Sequence, residues 1–273
     1  MGKTISTDWD LNKIFSEPSP FEMDLPWGDY EFSRRFLKVV NDWGIPTDSE
    51  IAFLNQYLPK SGGSALDLAS GGGRHAVGLA RCGHQITAVE IGRYPVQAAE
   101  RVAKKENLNI NFVVDDIRKI EYSSVFDMGF LICGQIGHFS PGDCRIIFRN
   151  SSKAVKQDGY FIVHLISFTG EDCSNYVQWY KEKEPFYFDN PSIVHREQYY
   201  IARHRVKIIR DFAVDTVTRQ NRLFGISEKL YTEMELVEFA NEFSLKLVEK
   251  YGSYDKEPLS RNSKSQIFVF KKG

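Results

Sequence analysis

Three acidic residues stand where three successive apolar segments end, a position from which they could bind one ligand. Asp67 lies within the segment ALDLA, Glu90 lies near the end of QITAVEI, and Asp116 follows INFVV. Parallel strands bring their carboxyl ends to one edge of a sheet, where the ligands of open α/β sheets bind. The three carboxylates are therefore expected to face one crevice and to accept hydrogen bonds from hydroxyl and amino groups.

A glycine turn, ASGGG at residues 69–73, follows the first of these segments. Such a turn lets the backbone approach a ligand closely and aims the first N–H groups of a helix at it. The pattern Gly71-x-Gly73-x-x-Ala76 fits the fingerprint of a nicotinamide dinucleotide site. Asp67 opposes that interpretation, because its carboxylate would repel a pyrophosphate. S-adenosylmethionine carries no phosphate, and its amino, ribose and adenine groups suit the three acids in order.

Strand-like and helical segments alternate from Ser64 to about residue 168. This rhythm predicts a parallel α/β sheet with both faces covered. Helices are expected after Gly73, from Pro95 to about residue 106, and from Pro141 to about residue 156. Ser140 is the candidate N-cap of the last of these, with proline at the first helical position.

The alternation of strands and helices stops near residue 168 and resumes at Thr232, where another helix is expected to begin. Aromatic residues are dense in 176–200, and 197–220 is β-branched and aromatic, which predicts an antiparallel hairpin or small sheet. Thr232-x-x-Glu235 then has the form of a capping box, and two strands end the chain.

The composition excludes several classes of protein. The 273 residues carry 35 Lys and Arg against 36 Asp and Glu, so a whole-protein basic footprint for nucleic acid is absent. No apolar run is long enough to span a membrane, and the N-terminus lacks the apolar region of a secretory signal. The four cysteines form no CxxC pair, which is typical of reduced thiols in a cytoplasmic protein: Cys82, Cys133, Cys144 and Cys173.

Five segments resemble, in order, the motifs of class I S-adenosylmethionine-dependent methyltransferases of the small-molecule group: LDLASGGGRHAVGLA, ITAVEIG, INFVVDDIRKI, FDMGFLICGQIGHF and QDGYFIVHLI. The resemblance implies an α/β fold with a Rossmann-like seven-stranded sheet, mostly parallel with an antiparallel last strand. Residues 1–169 and 228–273 would form the cofactor-binding core, with 1–46 as an N-terminal cap. Residues 170–227 would form an inserted antiparallel β lid or dimerisation subdomain.

The resemblance also implies which residues contact the cofactor. Eleven positions at the strand ends are involved: Asp67, Ala69, Ser70, Gly71, Gly73, Glu90, Ile91, Asp115, Asp116, Ile117 and Cys133. Among them, Asp67 would lie on the methionine side, Glu90 would hold the ribose hydroxyls and Asp116 would bond the adenine amino group. Ala69 departs from the family, which usually has glycine there, so the turn must accept a Cβ.

His138 follows the fourth predicted strand and is the candidate catalytic residue. Imidazole can take a proton near neutral pH, so we expect it to act as general base or to orient the acceptor. The alternative is a loop histidine that only fixes the turn. Five further residues are expected to contact the acceptor: Trp27, Tyr30, Gln135, Trp179 and Tyr200. No metal site is predicted.

The sequence thus predicts transfer of a methyl group from S-adenosylmethionine to an N, O or C nucleophile of a small molecule. Three alternatives stay open: an NAD(P)-dependent oxidoreductase on the same strand–turn–helix, a non-catalytic methyltransferase-like binding module, and a methyltransferase acting on protein or RNA. We expect a cytoplasmic monomer or homodimer with no nucleic-acid or membrane partner.

Overall fold

Eleven strands form two separate sheets in the computed structural model, which describes residues 26–41, 47–168 and 170–273. In chain order the strands are β1 (Ser64–Leu68), β2 (Gln85–Glu90), β3 (Ile110–Val114), β4 (Phe126–Leu131), β5 (Val155–Ile166), β6 (Tyr176–Glu182), β7 (Ser192–Ile201), β8 (Val206–Asp215), β9 (Asn221–Lys229), β10 (Leu245–Tyr251) and β11 (Ser265–Lys272). The larger sheet has seven strands in the order β10-β11-β5-β4-β1-β2-β3. Within this sheet, β11 runs in the direction opposite to that of the other six strands.

Helices cover both faces of the seven-stranded sheet because its strands are apolar on both sides. The helices are α1 (Tyr30–Asn41), α2 (Thr47–Asn55), α3 (Arg74–Arg81), α4 (Arg93–Lys105), α5 (Pro141–Ala154) and α6 (Glu233–Asn241). Phe148 of α5 and Phe239 of α6 are buried in the core on one face. Phe53 of α2 and Leu79 of α3 are buried in the core on the other.

The strand order reverses at β1, which has β2 on one side and β4 on the other. Chain connections leave such a point in opposite directions, and a crevice opens outside the carboxyl ends of the strands. The glycine turn after β1 and the loop after β4 therefore border the same crevice.

The second sheet has four antiparallel strands in the order β6-β7-β8-β9. One of its faces carries Val194, Ala213 and Phe224, which are buried and form a small core with Phe32 of α1. The opposite face carries Trp179, which is 65% exposed, and Leu223, which is 41% exposed. Alternation along the strands thus gives this sheet one packed face and one face with exposed apolar side chains.

Helix α1 joins the two sheets through contacts at both of its sides. The ring centroid of Phe32 lies 5.7 Å from that of Phe224 in β9. Arg34 Nη2 lies 2.6 Å from Asp189 Oδ1, in the loop between β6 and β7. On its other side, the hydroxyl of Tyr30 donates to Gln97 of α4 at 3.3 Å. The helix therefore spans the region between the core and the smaller sheet.

The predicted fold class is confirmed: a seven-stranded mixed sheet with one antiparallel strand and a separate antiparallel sheet. The helix expected from Pro95 begins instead at Arg93, because Gly92 is its N-cap in an extended conformation. Of the predicted cap segment 1–46, residues 1–25 and 42–46 lie outside the described residues. In the described part of the chain, each helix is too short or too polar to cross a membrane.

The predicted capping box at the start of α6 is present. Thr232 Oγ1 accepts from the Glu235 amide at 3.2 Å, and Glu235 Oε2 accepts from the Thr232 amide at 2.8 Å. Glu235 also pairs with Lys229 of β9, with Nζ and Oε1 3.0 Å apart. This helix start therefore also fastens the second sheet to the core.

Thr232→Ala removes the side-chain acceptor of this cap, so the free energy of unfolding should fall by about 1 kcal/mol. Urea denaturation measures the change. Thr232→Ser keeps the hydroxyl and should stay close to the wild type. Equal losses in both variants would assign the effect to the methyl group rather than to the cap.

Candidate active site

The turn after β1 depends on residues with positive φ. Ala69 (φ 55°), Gly71 (φ 53°) and Gly73 (φ 73°) all adopt the left-handed conformation. A Cβ on Gly72 would lie 2.7 Å from Cδ1 of Leu37 in α1, so a side chain there would displace that methyl group. Ala69 keeps the conformation of the family's usual glycine at the steric cost of a Cβ.

Glu90 connects this turn to the loop after β2. Its Oε2 accepts from the Gly71 amide at 2.8 Å, and its Oε1 accepts from the Gly92 amide at 2.8 Å. Burial raises the pKa of Glu90, and the amide hydrogen bonds oppose that rise only in part. The carboxylate is therefore fixed in place before any ligand arrives.

Asp67 is a buried carboxyl group with one oxygen unsatisfied. The residue is 2% exposed, and burial raises its pKa to about 8 although the charge of Arg74 opposes the rise. Neither Asp67 Oδ2 nor the nearby Ser70 Oγ has a hydrogen-bond partner among the described residues. Unpaired buried polar atoms are costly and are characteristic of positions that a ligand completes.

The third acidic site is a pair of aspartates after β3. Asp115 Oδ1 accepts from the Asp116 amide at 2.7 Å, and Asp116 pairs with Arg118, whose Nη2 lies 2.7 Å from Oδ2. Burial favours a higher pKa for Asp116, but the hydrogen bonds from the side chain and amide of Arg118 outweigh it and lower the pKa. Asp116 is therefore ionised at neutral pH.

These strand ends surround a cavity of about 370 Å³. Seven of the predicted cofactor contacts line it: Ala69, Gly71, Glu90, Ile91, Asp115, Asp116 and Ile117. The other four, Asp67, Ser70, Gly73 and Cys133, do not line this cavity. Four carboxylates line it (Glu90, Asp115, Asp116 and Asp143) with a single guanidinium, that of Arg118. The cavity is therefore suited to a ligand that carries positive charge.

His138 is the last residue of the short 3₁₀ turn Gln135–His138, which follows β4. Gly134, with φ 73°, is the N-cap of this turn. Its Nδ1 lies 3.3 Å from the carbonyl oxygen of Ser227 in β9. A carbonyl can only accept, so this contact assigns the imidazole proton to Nδ1 and leaves Nε2 with its lone pair. The Trp27 ring lies beside the imidazole, with 6.3 Å between centroids.

A second cavity of about 330 Å³ lies between the loop after β4 and the packed face of the four-stranded sheet. Four residues line both cavities: Trp27, Phe36, Gln135 and His138. The two spaces are therefore neighbours separated by a wall that includes the imidazole.

Arg74 organises a buried polar cluster behind the turn. Its Nη1 donates to Glu50, and its Nη2 donates to Cys133 Sγ at 2.8 Å. Glu50 Oε2 also contacts His75 Nε2 at 2.8 Å, so the same carboxylate oxygen bonds both Arg74 and His75. Glu50, His75 and Cys133 have metal-ligand atoms within 4.8 Å of one another. Because Arg74 bonds both Glu50 and Cys133, the group forms an ion-pair network.

Three of the predicted acceptor contacts lie away from both cavities. Tyr30 is on the α4 side of α1, Trp179 stacks against His195 with ring centroids 4.6 Å apart, and Tyr200 packs near Phe168. Trp27 and Gln135 line both cavities. The sequence analysis missed most of the lining of the second cavity, including Phe186, Arg196, Asp211, Phe224 and Glu228.

Several known proteins that are similar to this chain are methyltransferases. A family model described as a methyltransferase domain matches residues 65–159. A Rickettsia akari protein named ubiquinone biosynthesis O-methyltransferase is 29% identical over 118 residues, covering 43% of this chain and 45% of that protein. A Coxiella burnetii protein of the same name is 25% identical over 142 residues, covering 48% and 59%. The chain thus spans about half the length of these curated relatives.

Solved structures share the fold over most of the chain. An S-adenosylmethionine-dependent methyltransferase from Clostridium acetobutylicum has a TM-score of 0.70 at 16% identity, covering 88% of this chain and 98% of that one. A sugar N-methyltransferase from Streptoalloteichus has a TM-score of 0.65 at 15% identity, covering 94% and 97%. The fold is that of the class I S-adenosylmethionine-dependent methyltransferases. Residues 65–159, which match the methyltransferase-domain model, lie within this fold.

The buried carboxyl of Asp67 makes the stability of the protein depend on pH. The pKa of about 8 lies above the value of about 3.9 for an exposed aspartate, so the folded protein keeps a proton that the unfolded chain loses. The contribution of Asp67 to stability is therefore fully present below pH ~4 and is lost as the pH rises towards 8.

Between about pH 5 and 8, the free energy of unfolding of the wild type should fall by up to about 1.4 kcal/mol per pH unit more than that of Asp67→Asn. Urea denaturation across this range tests the difference. Glu100→Gln, on the exposed side of α4, is the control and should keep the wild-type slope. Parallel profiles for wild type and Asp67→Asn would contradict a protonated buried carboxyl.

Proposed function

We propose that the protein transfers the methyl group of S-adenosylmethionine to a small-molecule acceptor. The observation that carries the proposal is the pair of neighbouring cavities with His138 in the wall between them. The cavity at the strand ends would hold the cofactor. The cavity against the four-stranded sheet, residues of the predicted insert 170–227 among its lining, would hold the acceptor.

The cofactor fits the polar atoms that the chain leaves unsatisfied. Asp67 Oδ2 and Ser70 Oγ lack partners among the described residues. Neither residue lines the first cavity, but both flank Ala69, which does, so the amino and carboxylate groups of a methionine moiety would have to reach past this turn to bond them. The surplus of carboxylates around the first cavity favours a cationic sulfonium and opposes a pyrophosphate. This charge balance is the argument against the nicotinamide alternative.

The chain's own residues would bind and orient the cofactor. Glu90 would hold the ribose and Asp116 the adenine amino group, while Ile91, which is 45% exposed, and Ile117 would pack against the adenine ring. When bound, the cofactor supplies an already activated methyl group. The protein therefore needs only to align the acceptor, exclude water and remove a proton where the acceptor carries one.

His138 would act on the acceptor through Nε2. The bond from Nδ1 to the Ser227 carbonyl fixes the tautomer whose free lone pair can take a proton. The Trp27 ring beside the imidazole would limit the space for water at this position. The alternative of a non-catalytic binding module would not require a defined histidine between two cavities.

Calorimetry should show micromolar binding of S-adenosylmethionine or S-adenosylhomocysteine and no binding of NADH. Glu90→Ala removes charge-assisted hydrogen bonds and the support of two turn amides, so affinity should fall by about 1.5–3 kcal/mol, or roughly 10- to 150-fold. Glu100→Ala, an exposed carboxylate, is the control. Tight NADH binding without a response to the adenosyl compounds would overturn the cofactor assignment.

His138→Ala should lower the turnover rate by roughly 10²–10⁴ while cofactor affinity is unchanged. His138→Gln can still hydrogen-bond but cannot take a proton near neutrality. If His138 is a general base, both variants should have equally low turnover rates, and only the rate of the wild type should fall further as the pH is lowered. An orienting residue predicts partial recovery with glutamine. His195→Ala is the matched control, because His195 lies on β7 beside Trp179. Wild-type rates in both His138 variants would make His138 a loop residue.

A further inference from the structure

We propose that the acceptor is an uncharged aromatic compound that presents a ring hydroxyl to His138. This inference rests on the proposed methyl transfer and assigns its substrate class. The two curated relatives described above are named as O-methyltransferases, whereas one structural neighbour is a sugar N-methyltransferase. The walls of the second cavity favour O-methylation over the N-methylation of a sugar.

Aromatic rings form much of that wall. The centroids of Trp27 and Phe36 are 4.9 Å apart, and those of Phe36 and Phe186 are 5.8 Å apart, both in edge-to-face geometry. Phe224 completes the wall from β9, with Ile226 two residues further along the same face of the sheet. A flat ring can stack or pack edge-on against such a surface.

A sugar would not be matched by these walls. Each hydroxyl of a bound sugar needs a hydrogen-bond partner, and one buried without a partner loses the bond that it made to water. The phenylalanine and isoleucine side chains offer none, and Asp211 and Glu228 already bond to cations. Gln135 and His138 remain as partners, which are too few for the several hydroxyls of a sugar. The volume of about 330 Å³ is at the lower end of small-molecule sites, which suits one or two fused rings.

The charges of the wall cancel. Asp211 accepts two bonds from Arg196, at 2.7 Å from Nε and 2.6 Å from Nη2, and a third from Tyr187. Glu228 Oε2 lies 3.0 Å from Lys207 Nζ. Both carboxylates lining this cavity in the described part of the chain are thus neutralised by a cation. An ammonium or carboxylate on the acceptor would therefore meet no unpaired counter-charge.

The transfer step balances without another reactant. The hydroxyl oxygen of the acceptor would bond to the methyl carbon as the bond between that carbon and the sulfonium sulfur breaks, and the electrons of the broken bond would stay on sulfur. The hydroxyl proton goes to Nε2 of His138. Nδ1 keeps its own proton and its bond to Ser227, so the imidazolium that forms stays oriented.

The test uses the full chain and four probes: catechol and naphthol as neutral aromatic hydroxyls, protocatechuate as an anionic one, and glucosamine as an amino sugar. Turnover is followed as S-adenosylhomocysteine formed, and binding is measured on protein saturated with S-adenosylhomocysteine. We expect kcat/KM or affinity for a neutral aromatic to exceed that for glucosamine by about 100-fold or more, since several sugar hydroxyls would lose their partners. Protocatechuate should be at least about tenfold poorer than catechol.

Two variants locate the binding site. Ile226→Glu places a charge in the apolar wall and should weaken aromatic binding at least about tenfold, with affinity for S-adenosylhomocysteine unchanged. Leu223→Glu makes the same substitution on the opposite, exposed face of β9 and should have no effect. If Ile226→Glu does not fold, Ile209→Asn, which changes the same wall, replaces it in the binding measurement.

Preference for glucosamine, or no aromatic binding to the saturated protein, would overturn the acceptor assignment. So would equal effects of the two glutamate substitutions. Failure of the proposed function is a separate result, because S-adenosylhomocysteine would then not bind in the first place. Aromatic binding that Ile226→Glu removes supports the assignment even where none of the probes is methylated.

Discussion

The geometry of the site depends on one carboxylate, that of Glu90, which holds two turns together. By accepting from the Gly71 and Gly92 amides, it joins the loop after β1 to the loop after β2. The two turns enter α3 and α4, so the same bonds fix where both helices begin. A buried carboxylate is costly, and amide donors at both oxygens make this one tolerable. The first cavity is thus largely preformed, and a ligand has little left to organise.

The sequence predicts which strand ends come together because its signals are local. Each of Asp67, Glu90 and Asp116 stands next to its own apolar strand, and parallel pairing alone brings the strand ends together. The glycine turn is equally local, since left-handed φ values restrict which residues can occupy it. Even Ala69, which departs from the expected glycine, adopts the conformation that the turn requires.

The second cavity could not be predicted in the same way, because it is formed by tertiary packing. Trp179 and Tyr200 were chosen from a region dense in aromatics, yet strand register puts Trp179 opposite His195, on the face of β6 away from the cavity. Asp211 and Phe224, a directly opposed pair of β8 and β9, lie on the other face. Alternation along β8 and β9 is the signal that would have found them. Which face packs on the core depends on α1, which lies far away in sequence.

The hydrogen bond between His138 and Ser227 joins two parts of the chain that have different roles. The histidine belongs to the core, but the carbonyl that sets its tautomer belongs to β9, which also supplies Phe224 to the acceptor wall. The small sheet therefore carries both the shape of the acceptor site and the orientation of the proposed base. If this segment were exchanged for another during evolution, acceptor preference and catalytic competence would be inherited together as one module.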